Sequence, residues 1–79
     1  MALDIDERLR QCFAVIFPSV PPGQIATAST DTVEAWDSIQ HIRLVNVIEE
    51  EFNAVIDPEE AGELVSFQQF ADYLRTRVN

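Results

Sequence analysis

The sequence predicts an all-α fold, a small four-helix bundle of three main helices and one short one, as a single domain over residues 1–79. Three observations carry this. Apolar residues recur at spacings of three and four in separate stretches, the mark of buried helical faces. Helix-start signals stand before each of the four segments. No alternating stretch long enough for a strand is present. With 79 residues and 47% hydrophobic content, there is room for one core, and a domain of this size buries roughly 60–65% of the surface its unfolded chain exposes.

The first helix follows from Ile5, Leu9, Cys12, Phe13 and Ile16, which share one face. Asp4 is its expected cap, with Glu7 as the reciprocal partner of a capping box. Pro18 ends it, because the residue before a proline is pushed out of helical conformation. Residues 18–36 then form a long connection, uncommon in a compact domain unless it is anchored. Val20, Ile25, Val33 and Trp36 are spaced to anchor it as an ordered crossing loop, with a short turn of helix expected near 30–34.

The second helix is expected to start at Asp37-Ser38 and run to about Phe52 or Asn53, with Asp37 as cap and Gln40 at the third helical position. Its expected buried stripe is Ile39, Ile42, Val45, Ile48 and Phe52, with Gln40, Arg43, Asn46 and Glu50 facing away. Ile56-Asp57-Pro58-Glu59-Glu60 reads as a further start: Asp57 caps, Pro58 suits the first position and Glu60 closes the box. Gly62 limits that helix to a turn or two. The last helix starts at Ser66 with Gln69 as box partner and Val65 stapling onto Phe70. Phe67, Phe70, Leu74 and Val78 supply its buried face, and Arg75 and Arg77 complement its dipole near the C-terminus.

Charge narrows the partners. Fourteen acids stand against five bases, a net charge of −9, and every base is an arginine. Residues 31–63 hold ten of those acids and one arginine. Such a chain repels nucleic acid and anionic membrane and is steered toward basic protein surfaces. No apolar run approaches the roughly 18 residues of a membrane span. The opening residues lack the basic and apolar regions of a secretory signal. A lone cysteine, Cys12, offers neither an internal disulfide nor a cysteine metal site. A cytoplasmic monomer is the expectation.

Catalytic chemistry has little to work with. The chain has one histidine, one cysteine and no lysine. Asp37, Ser38 and His41 contain the letters of a hydrolytic triad, yet they crowd one helix start, where Asp37 serves better as a cap than as an orienter of imidazole. Glu49, Glu50 and Glu51 are consecutive on a helix, so they diverge and cannot converge on one cation. No calcium loop or glycine-rich phosphate loop is present. No catalytic residue and no metal site are expected, and the protein is not expected to be an enzyme. Ser38 draws attention instead, at a helix N-terminus whose free amides and positive dipole end favour an attached phosphate.

Trp36-Asp37-Ser38-Ile39, followed by Ile42, Val45, Ile48-Glu49-Glu50-Glu51-Phe52, resembles the acyl carrier protein family, whose second helix starts with an Asp-Ser-Leu-type motif. The similarity continues through Ile56-Asp57-Pro58-Glu59-Glu60 and Ser66-Phe67, matching the family's short third helix and its final helix. The resemblance implies a carrier. A 4′-phosphopantetheine group from coenzyme A would be attached to Ser38 by a phosphopantetheinyl transferase, with Asp37 in support. Its thiol would carry acyl intermediates as thioesters to acyl-loading and acyl-processing enzymes. Ile39, Gln40, Arg43, Glu49 and Glu50 would contact those partners. Ile42, Val45, Ile56 and Phe67 would be candidates to line an acyl cavity.

Gln40, His41 and Arg43 stand where carriers of fatty acid synthesis usually have acids. That departure favours a dedicated pathway, polyketide-like or another specialised acyl assembly, with a partner that accommodates Arg43, for instance through a carboxylate of its own. Two alternatives stay open. A peptidyl or aminoacyl carrier usually approaches its serine through Gly-Gly, which Glu34-Ala35-Trp36 lacks. An unmodified helical adaptor that binds a basic protein partner needs no attachment motif.

Overall fold

The computed structural model describes residues 4–77. Four α-helices follow one another: α1 (Ile5–Ile16), α2 (Ser38–Phe52), α3 (Pro58–Ala61) and α4 (Phe67–Arg77), with a 3-10 helix at Pro22–Thr27 between the first two. The chain is an all-α bundle of three main helices and a short one. None of the described helices is long and apolar enough to cross a membrane.

Each helix begins where local chemistry places its cap. Asp4 accepts the Glu7 N–H at 2.8 Å, and Asp37 accepts the Gln40 N–H at 2.9 Å. Asp57 accepts the Glu59 N–H at 2.9 Å, and Ser66 Oγ accepts the Gln69 N–H at 3.2 Å. The Gln69 side chain reciprocates by accepting the Val65 N–H at 2.9 Å. Glu60, expected to complete the Asp57 box, instead receives Arg77 at 2.9 Å and so ties α3 to α4. α2 ends at Asn53, whose φ of 50° places it in the left-handed region where asparagine substitutes for glycine.

The expected turn of helix near 30–34 forms elsewhere. Pro21 and Pro22 preset the backbone for a helical turn at Pro22–Thr27, and Ile25 is buried from it. At 29–33 the hydroxyls compete for the backbone: Thr32 Oγ1 accepts the Ser29 N–H at 3.0 Å, leaving a turn. The crossing loop is ordered as expected, with Ile25, Val33 and Trp36 buried. Thr30 donates to the Val65 carbonyl and Phe67 to the Ala28 carbonyl, both at 2.9 Å, which pins the loop against the start of α4.

Phe13 is the hub of the core. Its ring meets Phe67 at 5.2 Å and Trp36 at 5.5 Å between centroids, both edge-on. Such pairs add about 0.5–1.5 kcal/mol each beyond their buried area. Phe67, Phe70 and Leu74 are buried from α4. Val78, expected beside them, lies outside the described residues. Val65, expected to staple onto Phe70, is 39% exposed.

The expected stripe of α2 is corrected in its first half. Leu44, Ile48 and Phe52 are buried and Val45 is half-buried, but Ile39 is 69% and Ile42 61% exposed. Stepping by threes alone drifts round a helix that turns about 100° per residue, so Ile39 falls roughly 180° from Ile48. Leu44 takes the place that Ile39 and Ile42 were expected to fill. Across the α1–α2 seam, Arg8 donates to the Glu51 carboxylate at 2.9 Å and to the Glu51 carbonyl, and lies over the Phe52 ring at 4.4 Å.

Candidate functional site: the start of α2 and its groove

Ser38 is the first residue of α2 and is exposed. Asp37 already caps the helix, so the Ser38 hydroxyl has no structural task and makes no hydrogen bond among the described residues. The His41 N–H is taken by the Asp37 carbonyl at 2.8 Å. The amides of Ser38 and Ile39 have no carbonyl one turn earlier within the helix to bind, so they point outward at its positive end. An anion attached to Ser38 Oγ would sit where both amides and dipole favour it.

A groove of about 540 Å³ opens beside this hydroxyl, with Ser38, Trp36, His41 and Val65 among its walls. A second depression of about 450 Å³ continues between α2 and α3, lined by Val45, Glu49, Val55, Ile56 and Pro58 among others. His41, Ile42 and Gly62 belong to both, so they form one trough running from Ser38 along α2. From Ser38 to Glu49 this spans roughly 16 Å at 1.5 Å per residue. Its surface is largely apolar. Ile42, Val45 and Ile56 line it; Phe67 does not, being 1% exposed and packed against Phe13. Another depression of about 470 Å³ lies between the 19–24 and 32–35 stretches and has no arginine among its lining residues.

Sequence reasoning weighed His41 as a triad letter and missed its bridging role. Its Nδ1 accepts the Trp36 indole N–H at 3.0 Å, and its Nε2 lies 2.8 Å from the Ala61 carbonyl. One nitrogen must accept and the other donate, which is the neutral ring with its proton on Nε2. With both nitrogens engaged, His41 has none left to activate Ser38, and the triad letters make no triad. The only advance signal was a histidine five residues after a tryptophan across a helix start, too common a pattern to single out.

The remaining candidates separate. Ile39, Arg43 and Glu50 are exposed, whereas Gln40 is half-buried. Arg43 makes no ion pair among the described residues. Glu49 turns toward the groove, where its carboxylate accepts the Ile56 N–H at 2.7 Å and holds the loop that follows α2. Glu51 is bound by Arg8. The three consecutive glutamates therefore diverge, and no group of side chains suited to a metal ion occurs among the described residues.

Cys12 is buried in α1, and desolvation, followed by the nearby charge of Glu51, pushes its thiol up to about 11. Such a thiol is inert.

The chain matches no protein-family model and no curated protein.

Proposed function

We propose that this chain is an acyl carrier of a dedicated biosynthetic pathway, modified on Ser38 with 4′-phosphopantetheine. The observation that supports it most is the division of labour at the start of α2. Asp37 caps the helix and Ser38 presents a free, exposed hydroxyl at the mouth of an apolar trough. A serine needed for the fold would hold the cap itself.

The attached group supplies a thiol at the end of a mobile arm, which carries acyl groups as thioesters. The chain's own residues do the rest. The amides of Ser38 and Ile39 favour the phosphodiester, and Asp37 stands where it can help position the metal-bound donor in a transferase. Ile42, Val45 and Ile56 offer an apolar wall beside the attachment point. Tethering to a rigid helix raises the local concentration of cargo at each partner enzyme.

Intact mass after incubation with coenzyme A, magnesium and a broad-specificity phosphopantetheinyl transferase tests the proposal. The expected result is a gain of one phosphopantetheinyl unit in the wild type and none in Ser38→Ala. No gain, under conditions where a control carrier is fully modified, overturns it in favour of an unmodified helical adaptor.

A further inference from the structure

The exposed face of α2 is unusual in charge for so acidic a chain. Ile39, Ile42, Arg43 and Asn46 stand at helical spacings of three and four and form one continuous outward patch next to Ser38. Two large aliphatic side chains in it are 69% and 61% exposed. Neighbouring apolar exposure of this kind, rimmed by polar groups, marks interaction surfaces.

Arg43 decides the partner's chemistry. Arg8, Arg75 and Arg77 each hold a carboxylate of their own chain. Arg10 and Arg43 hold none among the described residues, but Arg10 is half-buried on α1 whereas Arg43 is exposed on α2. The neighbours of Arg43 one turn away are Ile39, Gln40, Asn46 and Val47, none of them acidic. Asp37 and Glu50 lie six and seven residues away along the helix, and neither pairs with it. The positive charge is therefore presented outward between apolar side chains.

We propose that this face docks a protein partner that presents a carboxylate within an apolar surface. The partner's role as an acyl-handling enzyme rests on the carrier reading, because the face adjoins Ser38. A basic patch would be repelled here by Arg43, so the basic surfaces drawn by the overall charge of −9 would engage elsewhere, at the acidic stretch from residue 57 to 63. The same net charge disfavours an anionic membrane as the occupant.

Two synthetic amphipathic helical peptides with the same leucine face, one flanked by glutamates and one by lysines, provide the probe. Each is titrated into the isotope-labelled, unmodified chain, and backbone amide shifts are followed. The glutamate peptide is expected to shift the amides of residues 39, 42, 43 and 46. Arg43→Glu is expected to weaken its Kd roughly five- to tenfold, with Arg43→Gln in between and the helical spectrum unchanged. The lysine peptide is expected to shift residues 57–63. Preference of the lysine peptide for the 39–46 face, or no shift of that face by the glutamate peptide, overturns the proposal. Shifts of that face with protein concentration alone assign it to a second copy and also overturn it. The test needs no modification of Ser38, so its failure is distinguishable from failure of the carrier reading.

Discussion

Trp36 and His41 are joined across the start of α2: the indole N–H donates to Nδ1 at 3.0 Å, and the two ring planes lie within 20° of parallel. The other ring nitrogen reaches the Ala61 carbonyl at 2.8 Å. One imidazole therefore connects the crossing loop, the first turn of α2 and the last residue of α3, directly beneath the groove beside Ser38.

Removing that connection has a measurable cost. His41→Ala leaves the Trp36 N–H without a partner at a residue only 5% exposed. An unsatisfied buried donor costs about 1–3 kcal/mol. We expect a lower Tm in thermal melts and a shifted tryptophan emission. His41→Phe keeps the ring packing and loses both bonds. If His41→Phe melts with the wild type, the hydrogen bonds contribute nothing and the account fails.

Asp37 and Ser38 are expected to respond oppositely to truncation. Asp37→Ala removes the cap and should cost about 1 kcal/mol in urea unfolding. Ser38→Ala should leave stability nearly unchanged and abolish modification. The reverse pattern would make Ser38 the structural residue of the pair.

Cys12 carries a pH signature. Its thiol is pushed up to about 11 from 9.0 by desolvation first and Glu51 second, with Arg8 opposing. Above pH 9 the unfolded chain releases this proton while the native state keeps it, so stability present below pH 9 falls as pH rises toward 11. Cys12→Ala is expected to flatten that part of the decline. Native protein should also resist iodoacetamide at pH 8 until denaturant is added. Rapid labelling without denaturant would place the thiol at the surface.

Gly62 lies in the right-handed helical region, with φ −64° and ψ −20°. An added Cβ would meet only the Glu59 and Pro58 carbonyl oxygens, at 3.6 and 3.7 Å, which is ordinary contact. Gly62→Ala should therefore stabilise the fold by about 0.4–1 kcal/mol by restricting the unfolded chain. A loss of stability in denaturant titrations would contradict this. Because Gly62 lines both parts of the trough, the same change narrows the wall opposite Ile42.

The sequence by itself determined where the four α-helices begin, though not where the 3-10 turn of the crossing loop forms. Asp4, Asp37, Asp57 and Ser66 cap amides two or three residues away, and Pro18 and Gly62 act on their own turn, so the decisive partners lie within the motif. It also determined the burial of Cys12, and it carries the Trp36-Asp37-Ser38 stretch on which the proposed attachment rests. Tertiary structure decided how much of the apolar content of α2 is covered. At 100° per residue, spacing puts Leu44, Ile48 and Phe52 on one side, but only the packing of distant segments leaves Ile39 and Ile42 exposed. Tertiary structure likewise decided that Glu60 serves Arg77 and that Glu49 serves the Ile56 amide. It also joined Arg8 to Glu51, forty-three residues away in sequence. Caps are short-range contacts fixed by local spacing, whereas burial and ion pairing depend on which distant segments pack together.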